Sequence, residues 1–121
     1  MGKRQRRRRR EAGAEAPVAS TSHYADDEGN VLTLRDELSA GTLRALERLE
    51  ARLAASSEDR WQRRVELLFE RLAVRWEISG LPLDGQKELL GRYRMATSEE
   101  RRAVRRAMAE HLRERHPDVE V

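Results

Sequence analysis

Apolar residues recur with helical spacing over most of the second half of the chain. Leu43, Leu46, Leu49 and Leu53 fall at intervals of 3, 3 and 4 and so share one helix face. Ser39 or Thr42 can cap the start of that helix, and Ala54-Ala55-Ser56-Ser57 ends it. Trp61, Val65, Leu68, Leu72 and Trp76 follow at intervals of 4, 3, 4 and 4, and Phe69 and Ala73 widen their stripe. This predicts a second helix, opened by Ser56 with Asp59 as a capping box and running to Trp76–Ile78, where Ser79-Gly80 and Pro82 stop it. Asp84 is a cap for a shorter helix bearing Leu89, Leu90 and Tyr93, weakened by Gly85 and Gly91. Thr97 and Glu100 form a second capping box, ahead of a helix with Val104, Ala107, Met108, His111 and Leu112 on one face and Pro117 beyond its end.

Upstream the period changes. His23-Tyr24-Ala25 and Val31-Leu32-Thr33-Leu34 flank the turn Asp26-Asp27-Glu28-Gly29-Asn30, which reads as a short β-hairpin. A lone hairpin is marginal in water, so it must lean on the helices. The expected fold is therefore mainly α: a small domain of about four helices with a short β-hairpin near its N-terminus, spanning 23–117. A basic arm and linker (1–22) precede it and a tail (118–121) follows.

Composition narrows the function classes. Among 121 residues, 38% are hydrophobic and 39% charged, with 4% aromatic. An ordinary globular domain has about 45–50% apolar and 25% charged residues, so the core is thin and aliphatic. A second chain or self-association is an expected complement to it. The absence of Cys excludes disulfides, thiolate metal sites and Cys nucleophiles. No apolar run is long enough to span a membrane, and no signal-like segment follows the basic residues, so a cytoplasmic location is expected.

Charge is arranged in blocks. Lys3, Arg4, Arg6, Arg7, Arg8, Arg9 and Arg10 place seven positive charges in the first ten residues; the other 111 carry 18 basic and 22 acidic groups. Such a run repels itself and is expected to be disordered when free. It suits nucleic-acid phosphates, although without an interleaved aromatic it supplies affinity rather than sequence choice. A solvated tail is the other reading of the same run. Arg101, Arg102, Arg105 and Arg106 form a second basic cluster, readable as a nucleic-acid or acidic-partner surface or as an ordinary charged helix face.

Catalytic patterns are not evident. His111 and His116 are five apart rather than the four that zinc motifs favour, and the acidic turn at 26–30 lacks calcium-loop spacing. The glycines are scattered, no Gly-x-Ser-x-Gly elbow occurs, and most carboxylates neighbour Arg on outer helix faces. We expect no catalytic residues, no metal and no cofactor. Trp61 and Trp76, fifteen residues apart, would lie about 22 Å apart on a straight helix, too far to sandwich one ligand. They read as core or interface anchors.

The stretch Leu67-Leu-Phe-Glu-Arg-Leu-Ala-Val-Arg-Trp-Glu-Ile-Ser-Gly-Leu-Pro-Leu83 resembles tail assembly chaperones of long-tailed bacteriophages. The matching features are Val74 and Trp76 at the end of an apolar helix, a short turn from Gly80 to Pro82, and the pair Leu89-Leu90 on the helix that follows. Within Trp61–Pro117 this covers about half of the chain, and the Arg-rich arm and the hairpin depart from the pattern. The resemblance implies a non-enzymatic phage or prophage protein that coats a tail tape-measure chain through apolar contacts.

These observations give an assembly or adaptor protein as the expected function, with Trp76, Leu81, Leu83, Leu89 and Tyr93 as its apolar contact surface. The alternative is a nucleic-acid-binding accessory protein using residues 3–10 together with Arg101 and Arg105.

Overall fold

The computed structural model describes residues 20–51 and 57–121. Within them the chain forms β1 (Thr21–Ala25), β2 (Val31–Arg35), α1 (Ala40–Ala51), α2 (Ser57–Leu72), β3 (Ala73–Ile78), β4 (Leu81–Asp84), α3 (Gln86–Arg94) and α4 (Ser98–Arg115). The strands make one antiparallel sheet in the order β1-β2-β3-β4. The expectation of a mainly α domain with a single N-terminal hairpin is thus corrected. The fold is α+β, with a second hairpin inserted between α2 and α3.

The correction has a local cause. From Ala73 onward the sequence satisfies two periods at once. Trp76 continues the helical stripe, but Val74, Trp76 and Ile78 also alternate with Ala73, Arg75 and Glu77 as a strand requires. β-Branched Val74 and Ile78 favour the strand, and β2 offers a pairing edge. Ser79 and Gly80 take φ of 53° and 79°, positive at both positions of a two-residue loop that joins Ile78 to its partner Leu81. That is the hairpin turn matched to strand twist, so the Ser-Gly helix stop is in fact a reversal. The register of β2 against β3 shifts between Thr33 and Leu34.

Pairing fixes which side chains share a face. Tyr24, Leu32, Trp76 and Leu83 line one row on the helix-covered side. His23, Thr33, Arg75 and Asp84 form a row on the opposite side. The core joins Leu32, Leu34 and Trp76 of the sheet to Leu46 of α1, Val65, Leu68, Phe69 and Leu72 of α2, Leu89 and Tyr93 of α3, and Val104, Met108 and Leu112 of α4. Half-buried Val119 and Val121 pack against the same core, beyond α4.

The helix boundaries repay comparison with their signals. Ser39 caps α1, its Oγ accepting from the Thr42 N–H at 3.0 Å. Leu46 is buried and Leu43 is 40% exposed; Leu53 and Ser56 lie outside the described residues. Asp84 belongs to β4 rather than capping α3. Gly85 occupies that N-cap at φ 95°, with no side-chain cap. Thr97 and Glu100 close the expected capping box on α4.

Candidate functional site

The five residues expected to form one apolar surface are divided between the interior and the outside. Trp76, Leu89 and Tyr93 are buried, Leu83 is half-buried, and Leu81 is 72% exposed. The aromatic members surround Phe69, which stacks on Tyr93 at 4.9 Å and meets Trp76 edge-on at 5.8 Å. Arg92 lies over the Trp76 ring at 5.5 Å and forks onto Glu100 at 3.2 and 3.0 Å. Trp76, Leu89 and Tyr93 therefore belong to the core beneath the β3–β4 hairpin, because the strand turns Trp76 inward, and the five residues do not form one exposed surface.

Three polar constellations stand outside that core. In the first, His111 on α4 is fully buried and spans the helix–sheet interface. Its Nε2 lies 2.7 Å from the Arg35 carbonyl oxygen, which can only accept, so Nε2 carries the hydrogen. Nδ1, the other ring nitrogen, lies 2.9 Å from the Tyr24 hydroxyl and in the neutral tautomer accepts its hydrogen. Burial, with Glu114 and Glu110 nearby, raises the Tyr24 phenol above its ordinary value and keeps it a donor. Next to it, buried Asp36 accepts from the hydroxyls of Ser20 and of Ser22, the latter at 2.6 Å, and pairs with Arg115 at 3.1 Å. His116 donates from Nε2 to the Asp36 carbonyl at 2.9 Å. Every one of these groups is committed to another, so the network locks α4 to the β1–β2 pair and leaves His111 no free nitrogen for proton transfer. Sequence spacing alone could not find it, because its members are 14 to 87 residues apart.

The second is the acidic turn. Asp26 Oδ1 accepts from the Glu28 and Asn30 N–H groups, each at 2.9 Å, and Asn30 Nδ2 donates to Asp26 Oδ2 at 3.1 Å. The Asp26 carboxylate therefore orders the loop. A cleft of about 420 Å³ separates this turn from the start of α4, with Asp27, Glu99, Arg102 and Arg106 among its walls. Among the described residues no group of three or more His, Asp or Glu is placed to hold a metal.

The third is centred on Trp61. The α2 helix places this indole at 40% exposure, where Arg105 of α4 lies over its ring at 5.0 Å. Arg102, Arg106 and Ala109 share the cleft. Arg101, expected to help bind nucleic acid, instead donates from Nε to the Ala96 carbonyl at 3.2 Å. Lys3, Arg4 and Arg6 to Arg10 lie outside the described residues. Trp61 and Trp76 therefore do not share one helix face, since α2 ends at Leu72.

No described helix is long and apolar enough to cross a membrane. No family model, curated protein or solved structure matches the chain.

Proposed function

We propose that this protein is a non-enzymatic assembly or adaptor protein that binds another protein chain, in the manner of the tail assembly chaperones its central segment resembles. The observation that carries the reading is the exposure of Leu81 (72%) and Met95 (83%) at two ends of the unit β3–β4–α3. The named features of the resemblance fall in that unit, Val74 and Trp76 in strand β3 rather than at a helix end, Gly80 to Pro82 at the turn and in β4, Leu89 and Leu90 in α3, while the start of the stretch, Leu67 to Leu72, lies in α2. Its interior is stiffened by the Phe69–Trp76–Tyr93 cluster, so the outward side chains stand on a rigid base. Large apolar groups held this way bury well against a partner. The β4 edge itself is guarded: Pro82 cannot donate from the strand, which discourages indiscriminate strand pairing and leaves recognition to side chains.

The partner in this reading is a chain of the tape-measure kind, held through apolar contacts. The test is co-expression with a tail tape-measure chain from the source genome, comparing the natural sequence with Leu81→Asp/Met95→Asp. Co-purification of the natural protein, and its loss in a folded double variant, supports the reading. Equal recovery by both proteins, or no complex with either, removes it.

A further inference from the structure

Beyond this protein-docking reading, we propose that the Trp61 cleft binds single-stranded nucleic acid, with Arg102 and Arg106 holding phosphates and a base stacking on the indole–guanidinium pair. Arg102, Arg105, Arg106 and Ala109 follow the i, i+3, i+4, i+7 spacing that puts side chains on one helix face. They line a cleft of about 270 Å³ with Trp61 and Val121 that no Asp or Glu side chain shares, although on their far side Arg102 and Arg106 also wall the larger cleft that holds Asp26, Asp27, Glu28, Glu99 and Glu100. Arg105 is committed to the indole at 5.0 Å, but Arg102 and Arg106 are exposed and make no hydrogen bond or ion pair with a described residue. Exposed Arg94, Arg75 and Arg115 are engaged with Glu66, Glu77 and Asp36; among the described residues, exposed Arg44, Arg48, Arg63 and Arg113 are as free as Arg102 and Arg106, but none of them lines the Trp61 cleft.

A solvated basic face needs no aromatic. Here a Trp that would otherwise be sheltered stands 40% exposed among cations. Nucleic acid is the polyanion that uses both features, because every base offers a flat face and every linkage a charge. On the other side of the same indole, the cleft holds Glu50, Asp118 and Glu120 beside Arg60 and Arg64, so phosphate is directed toward α4.

The test uses the full chain and a labelled, unstructured oligonucleotide of about twenty nucleotides, long enough to span a site of this type. The variants are Arg102→Gln/Arg106→Gln, Trp61→Leu, and Arg44→Gln/Arg48→Gln on exposed α1 as a charge-matched control. Thermal unfolding establishes that each is folded. The site variants are expected to weaken binding about tenfold, and the control to leave it nearly unchanged. Losing two phosphate contacts should also reduce the slope of log affinity against log salt by about 1.4. Bound oligonucleotide should shield Trp61 from acrylamide, while buried Trp76 contributes little to quenching either way. Equal weakening in the control, or an indole quenched as readily with the strand bound, overturns the proposal. So does polyglutamate that binds as tightly with the same dependence on Arg102 and Arg106, which would make the cleft a site for acidic protein segments.

Discussion

The side-chain oxygen of Asn30 accepts the Ser79 N–H at 3.0 Å, joining the loops of two hairpins that lie 49 residues apart. Asn30 is buried, and its amide nitrogen donates to Asp26. One side chain therefore holds its own turn closed and fixes the second turn beside it. Asn30→Ala leaves the Ser79 N–H and the Asp26 carboxylate short of a partner. Ser79 is exposed and Asp26 half-buried, so water can replace the lost partner and the expected cost is that of the hydrogen bonds themselves, about 1 kcal/mol, measured as a lower urea midpoint with unchanged slope.

The Tyr24–His111 bond makes a different prediction, because both partners can be removed. Tyr24→Phe deletes the hydroxyl and should cost about 1 kcal/mol. His111→Leu also strands the Arg35 carbonyl in the interior and should cost about 2–4 kcal/mol. In the double variant the Tyr24 hydroxyl no longer matters, so the two losses should fall short of additivity by about 1 kcal/mol. Strict additivity in a denaturant series would show that the bond contributes nothing.

Asp36 sets the acid limit. Hydrogen bonds from Ser20 and Ser22, and then Arg115, hold its carboxyl below the usual range, outweighing the opposite effect of burial. Glu100 is lowered likewise by Arg92 and the Thr97 N–H. A folded-state pKa below the unfolded one means that the unfolded chain binds protons first as pH drops. The stabilisation is complete well above the unfolded value of about 4 and disappears as pH falls through the lower folded value. Unfolding midpoints should be flat near neutrality and drop below about pH 4. Asp36→Asn should be less stable at pH 7 and show a shallower decline, with Glu100→Gln removing a further part. An unchanged acid profile in both variants would refute this assignment.

Much of the fold is legible in local signals. The 26–30 hairpin, the Ser39 cap, the Thr97–Glu100 box and the buried face of α4 each depend on residues within a few positions of one another. The β3–β4 hairpin is not, because Trp76 satisfies helix and strand periods equally and only the edge offered by β2, some forty residues upstream, decides between them. The contact residues suffered from the same ambiguity. Spacing identifies Trp76, Leu89 and Tyr93 as a coherent apolar set, but coherence is common to cores and to interfaces. The Asp36 and His111 network was hidden because its partners meet only in three dimensions. Trp61, read from its stripe as a core or interface anchor, is 40% exposed, with Arg105 over its ring.

The division between core and surface can be measured directly. Trp76 packs on Phe69 beneath Arg92 at 3% exposure, so Trp76→Ala should cost about 3–5 kcal/mol, from lost burial and the cavity left behind. Leu81 pairs with Ile78 in the register, but most of its side chain faces solvent, so Leu81→Ser should stay within about 0.5 kcal/mol of the natural protein. Partner binding should reverse that order once the fold is held constant: Leu81→Ser should weaken the complex while leaving the unfolding curve in place. Trp76→Phe, which preserves most of the volume, should lower the midpoint and leave affinity unchanged below it. If Leu81→Ser neither destabilises nor weakens binding, Leu81 is an ordinary exposed leucine and recognition lies elsewhere on the molecule.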